Sequence, residues 1–191
     1  MVHKNDQMKI ALITGGLGFI GTNLAANLLK TKKIKKCVLL DNFSSFIDPS
    51  LQGYKDYRKN RLNMISSKIV ERCDTKNFSA LLNIVEKYKP ELIFHTAALP
   101  LAKISNLTLD EAKEGSIDST MNILDAIHKT QNNFKKYKCK RFIYISSSMV
   151  YGDFKKSSVT EKDETNPKDA YGVMKLAGEF ITKGISKLYN I

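Results

Sequence analysis

The chain has no apolar run near the roughly 20 residues that a bilayer-spanning helix needs, so no membrane partner is expected. The opening Met1-Val2-His3-Lys4-Asn5-Asp6-Gln7 has no apolar signal region, and a glycine-rich turn follows soon after, so secretion is not expected either. Cysteine is scarce. Cys37, Cys73 and Cys139 are an odd number without metal-ligand spacing, which sets aside a disulfide framework and a metal site and fits free thiols in a reducing cytoplasm. Acidic residues are short: 19 Asp and Glu face 31 Lys and Arg, a net charge of +12. Such a balance invites a nucleic acid partner, but no aromatic-interleaved basic motif of the RNA-binding kind is present. The lysines instead crowd 30–36 and 134–140, expected helix-to-strand connections where cations suit helix C-termini. Nucleic acid is therefore not expected as a partner.

With 191 residues and 42% hydrophobic content the chain can bury one good core, so a single domain over 1–191 is expected. Apolar strand-like runs near 9–14, 37–41, 68–72, 91–95 and 141–146 alternate with helical patterns near 19–31, 76–88, 107–131 and 169–189. That alternation predicts an α/β fold: a parallel sheet with helices on both faces, doubly wound, in the order 3-2-1-4-5. Two connections are long. Ser44 to Asn60, with Tyr54, Tyr57 and Arg58, reads as a flap, a short helix or a plain surface insertion. Tyr151 to Asp169 is rich in Lys, Glu and Asp. Strand five, Arg141 to Ser146, is apolar and has no obvious outer neighbour in the chain, so an exposed edge is expected.

Two clusters carry chemistry. At the N-terminus, Met8 to Thr14 leads into Gly15-Gly16-Leu17-Gly18-Phe19-Ile20-Gly21 and then a helical pattern. Glycines at 15, 18 and 21, between strand and helix, allow a tight turn and close backbone approach to a pyrophosphate at the helix start. Asp41, twenty residues after Gly21 at a strand end, is placed to accept hydrogen bonds from a ribose diol. Asn42 and Phe43 supply no arginine for a 2′-phosphate, so NAD is favoured over NADP. Toward the C-terminus, Tyr171 and Lys175 stand one turn apart on a helix face. A phenol near pKa ~10 is a poor base at neutral pH; a cation beside it lowers that value. With a hydroxyl from the run Ser146-Ser147-Ser148, the set suits moving a proton on and off a carbon-bound hydroxyl. His95 reads as structural, and Asp163 and Glu164 as solvated loop charges.

These residues resemble the extended short-chain dehydrogenase/reductase family, in its nucleotide-sugar epimerase and dehydratase branch, over nearly the whole chain. Thr14 to Gly21 is similar to its phosphate loop, Asp41-Asn42-Phe43-Ser44-Ser45 to the ribose-binding turn of UDP-glucose 4-epimerases, and His95-Thr96-Ala97-Ala98 to a turn that passes close to the cofactor. The resemblance implies a Rossmann-like domain with NAD held by Gly15, Gly18, Phe19, Ile20, Gly21, Asp41, Asn42, Asp74, Ala97, Ala98, Ser116, Tyr171 and Lys175. It implies Ser147, Tyr171 and Lys175 as catalytic residues, no metal, and a UDP-sugar substrate whose diphosphate the positive chain would attract. Asp74 reads almost as well as a turn or cap residue. Three departures stand out. Ser116 falls where the family has Asn. Ser148-Met149 follows Ser147 where dehydratases have an acidic pair. The chain stops at Ile191, before the C-terminal substrate-binding region that the family carries. The implied activity is 4-epimerisation through a keto intermediate. The alternatives are a same-family dehydrogenase or reductase, or a truncated NAD-binding fragment without turnover. A homodimer through the helices near 107–131 and 169–189 is implied by the resemblance alone.

Overall fold

The structure, a computed structural model, describes residues 9–44, 58–99 and 108–191. Five parallel strands form one sheet in the order β3-β2-β1-β4-β5: β1 Lys9–Thr14, β2 Ile34–Asp41, β3 Lys68–Arg72, β4 Leu92–His95 and β5 Arg141–Tyr144. The strands alternate their side chains between two cores, as a sheet covered on both faces requires. On one face Leu12, Val38, Leu40 and Ile93 pack against Leu81, Ile84 and Val85 of α3 (Phe78–Tyr88) and Ile123 and Ile127 of α5 (Ser119–Asn133). On the other, Ala11, Ile13 and Leu39 pack against Ala25 and Ala26 of α1 (Phe19–Lys30), with Ile65 beside them. This is the doubly wound α/β architecture expected from the sequence.

Local chemistry sets most boundaries. Asn77 caps α3 through Ala80 N–H, and Asp169 caps α6 (Ala170–Tyr189) through Gly172 N–H at 2.7 Å. Thr108 and Glu111 make a reciprocal capping box at α4 (Leu109–Lys113). The expected continuous helix over 107–131 is instead three pieces. Between α4 and α5 a π-helical turn, Glu114–Asp118, inserts extra backbone. Thr120 Oγ1 donates to the Ser116 carbonyl at 2.5 Å there, and Gly115 lets Leu99 approach closely. Position 107 lies outside the described residues. Strand five ends at Tyr144 rather than 146, because its partner β4 ends at His95; among the described residues β5 has no neighbour on its outer side. Of the long 44–60 connection, Arg58–Asn63 forms the short helix α2; Ser45, Tyr54 and Tyr57 lie outside the described residues. Ser148–Tyr151 forms a 3-10 turn where only a serine-rich strand end was expected.

Charges of both signs pair at both ends of the sheet, as in Lys140–Glu91 before β4 and β5 and Lys76–Glu114 and Lys113–Asp118 beyond the strands' carboxyl ends. Lys9, Lys35, Lys68 and Arg141 sit at strand starts, and Lys30, Lys87 and Lys135 at or just after helix ends, all at the amino-terminal side of the sheet. Among the described residues no helix is long and apolar enough to cross a membrane.

Candidate active site

The glycine turn after β1 is built to be approached. Gly15 has φ +63, and a Cβ there would lie 2.9 Å from Ala97 N, a position only glycine fills without strain. Gly21 packs so closely on the turn that a Cβ would sit 2.5 Å from the Gly15 carbonyl oxygen. Gly18 is the N-cap of α1 and makes no side-chain cap, and no acid stands in the first helical turn. The orphan N–H groups and the positive end of the helix are thus open to an anion. Phe19 and Ile20, at the helix start, are largely exposed.

Asp41 does more than the sequence suggested. Its Oδ2 accepts from Leu17 N at 3.0 Å and its Oδ1 from Phe43 N at 2.9 Å, so one carboxylate ties the glycine turn to the end of β2. Asn42 Nδ2 donates to Asp74 Oδ2 at 3.1 Å, and its Oδ1 accepts from Ser44 N. These paired turns hold Phe43 at φ +62, an uncommon conformation for a bulky side chain. Asn42, Ser44, Arg72, Asp74 and Asn77 line an open cleft of about 370 Å³ beside them. Arg72, which the sequence reading did not weigh, also lines this cleft. Parallel pairing sets it opposite Asp41, with its guanidinium 5.8 Å from the Phe43 ring centroid. Sequence reasoning looked only along β2, and the residue came from the neighbouring strand. Arg61 was also missed: its guanidinium donates to the Leu17 carbonyl at 3.1 Å.

Under the turn runs a buried chain of hydroxyls centred on His95. Ala97 N donates to Thr14 Oγ1 at 3.1 Å, Thr14 Oγ1 meets His95 Nδ1 at 2.8 Å, His95 Nε2 meets Ser119 Oγ at 3.3 Å, and Ser119 Oγ donates to Thr75 Oγ1 at 2.7 Å. Burial, with the Lys175 charge adding to it, pushes His95 down to about 3. A neutral ring therefore links β1, β4 and α5, the structural role expected. His95→Leu should cost about 1–3 kcal/mol, because it takes one partner from each of two buried hydroxyls, and denaturant melts would measure it. The folded value lies below the ordinary 6.5. Stability from the neutral ring is thus complete above about 6.5 and is lost as pH falls toward 3. The variant should lack that component of acid destabilisation.

The second cluster lies at the carboxyl end of β5. Ser147 opens the 3-10 turn, its Oγ accepting from Met149 N at 3.2 Å. Tyr171 and Lys175 are both buried on the first turns of α6. A Cβ on Gly172 would strike the Met149 carbonyl, so the helix sits tightly on the turn that carries Ser147. Burial raises the Tyr171 phenol above its ordinary value; neighbouring Ser147 pulls the other way, and Asp169 adds to the rise. The sequence reading had Lys175 lowering it. The ammonium is instead directed to the Ile145 carbonyl and lies 4.3 Å from the Tyr144 ring centroid. Burial pulls Lys175 itself down to about 8. Ser116 is buried in the π-helical turn; Ala97 and Ala98 are half-buried beside Gly15. Among the described residues no group of His, Cys, Asp or Glu could hold a metal ion, and the three cysteines are free and buried.

A parallel 3-2-1-4-5 sheet with a glycine cradle after β1 and a Ser-Tyr-Lys cluster beyond β5 defines a Rossmann-like domain of the extended short-chain dehydrogenase/reductase type. A family profile described as GDP-mannose 4,6 dehydratase matches residues 12–191, and the chain belongs to that family of sugar-nucleotide epimerases and dehydratases. A Dictyostelium discoideum dTDP-D-glucose 4,6-dehydratase is 29% identical over 198 residues, covering 94% of this chain and 41% of the relative. A Bacillus subtilis protein described as an uncharacterized UDP-glucose epimerase is 33% identical over 177 residues, covering 90% of this chain and 50% of the relative. Among solved structures, a UDP-glucuronic acid 4-epimerase from Bacillus cereus, in complex with UDP-glucuronic acid and NAD, superposes with a TM-score of 0.75 at 30% identity, over 95% of this chain and 54% of that one. The chain spans about half the length of the curated relatives it matches.

Proposed function

We propose that this chain is the NAD-binding half of a nucleotide-sugar 4-epimerase and carries its proton-transfer residues. The observation that carries the reading is that Tyr171 and Lys175 are both buried on the first turns of α6, which sits tightly through Gly172 on the turn that opens at Ser147. The cradle residues fit a dinucleotide: uncapped α1 N–H groups for the pyrophosphate, Asp41 and Asn42 toward the ribose, and Asp74 on the adenine side. When bound, the dinucleotide supplies a reversible hydride acceptor. Tyr171 takes the proton from a sugar hydroxyl as that carbon is oxidised and returns it after the keto sugar has turned over. Ser147 holds the same oxygen by its hydroxyl. Lys175 adds a fixed positive charge beneath them.

Epimerisation is favoured over 4,6-dehydration because Ser148 and Met149 follow Ser147, with no acid to assist loss of water. The two carboxylates that act on the cluster are engaged elsewhere: Asp169 caps α6 and Glu179 bonds Ser146. The groups that grip the sugar are assigned to the part of the relatives that this chain does not span. A cytoplasmic homodimer completes the reading, supported by the apolar Val173, Phe180 and Leu188 exposed along α6. The test is mass spectrometry of small molecules released on denaturation, followed by incubation with UDP-glucose and with UDP-glucuronic acid. NAD release and interconversion without net cofactor consumption are expected. Stoichiometric consumption would assign a one-way dehydrogenase, and a 4-keto-6-deoxy product a dehydratase. Light scattering on the same sample should report twice the chain mass; a monomer would remove the dimer from the reading.

A further inference from the structure

Lys175 is only 3% exposed, an uncommon place for an ammonium. The groups around it are the Tyr144 ring at the end of β5, the Ile145 carbonyl just beyond it, neutral His95 from β4, and Glu179 from its own helix. Glu179 stands four residues after Lys175, on the same face of α6. It does not float free in solvent: Ser146 donates its hydroxyl to Glu179 Oε1 and pins the carboxylate against the end of β5. Ser146 is the immediate neighbour of Ser147, so one strand end places both the substrate-facing hydroxyl and the clasp on the acid. Gly178 is required beside it, because a side chain there would run into the Tyr144 hydroxyl and lift α6 off the strand.

We propose that Glu179, clasped by Ser146, is a positioning residue that keeps the buried Lys175 ammonium charged beside Tyr171. Resting on the reading of Lys175 as part of the proton-transfer cluster, it gives a task to two side chains outside the Ser-Tyr-Lys set. Burial alone drives this lysine toward the neutral amine, and the carboxylate one turn away opposes it. A neutral amine would still fill the space but would no longer carry positive charge into the cluster.

The experiment is a pH titration of the Lys175 ε-carbon by NMR on ¹³C-lysine protein, assigned by its loss in Lys175→Met. Wild type should titrate near 8. Glu179→Gln should move the midpoint down by about one unit, a roughly tenfold rise in neutral amine at pH values below both midpoints. Ser146→Ala should move it the same way by less, and Glu179→Asp should bring it part of the way back. A merely structural Glu179 would alter melting and leave the midpoint in place. An unmoved midpoint in Glu179→Gln, or in Ser146→Ala should the first variant fail to fold, overturns the proposal. The titration needs neither cofactor nor turnover. A shifted midpoint alongside an active Lys175→Met would therefore sink the catalytic reading and leave this one standing.

Discussion

Gly21→Ala should weaken NAD binding on the order of 100-fold, read by calorimetric titration. The added methyl would stand 2.5 Å from the Gly15 carbonyl oxygen and 2.8 Å from Gly16 Cα, and both are backbone. Neither atom can swing aside as a side-chain tip would, so α1 must back away from the turn. Displacement by a fraction of an ångström pulls the helix N–H groups off the pyrophosphate, and misplacement on the 1 Å scale is worth about 10²-fold in well-aligned sites. Gly184→Ala is the control. Nothing lies within 4 Å of a Cβ there, on the exposed side of α6. It should leave binding untouched and stabilise the helix by about 0.5–1 kcal/mol. Equal losses in both variants would mean that the cradle has no special part in binding.

Tyr171→Phe should reduce turnover by about 10²–10⁴, the range of a lost acid–base group, while the dissociation constant for NAD changes by less than about threefold. The buried ring keeps its place in the wall of the cluster, and only the phenol oxygen is removed. Rates should be taken as single-turnover bleaching or rise of the reduced nicotinamide band after UDP-sugar is added, with NAD binding titrated in parallel. Retained turnover in the phenylalanine variant would take proton transfer away from this residue.

The sheet was readable because its strands are short apolar runs with glycine or acid punctuation, and because a doubly wound order follows from strand–helix alternation. The glycine cradle was readable for the same local reason: conformation at Gly15 and packing at Gly21 are set by neighbours in sequence or by a single adjacent strand. What escaped was non-local or bifunctional. Arg72 entered the cleft through strand pairing, which no pattern along β2 announces. Thr14, Ser119 and Thr75 look like ordinary small polar residues until the fold strings them on His95. The π-helical turn was hidden because its residues, Glu114 to Asp118, are unremarkable helix formers apart from Gly115. The Tyr171 protonation balance was misjudged because spacing places Lys175 on the right face but does not say where its long stem will aim. Glu179 was missed as well, although it stands one helical repeat after Lys175.

Among the described residues nothing pairs with the outer edge of β5. Its free main-chain donors and acceptors offer a template to foreign strands, so turbidity on storage should climb steeply with protein concentration.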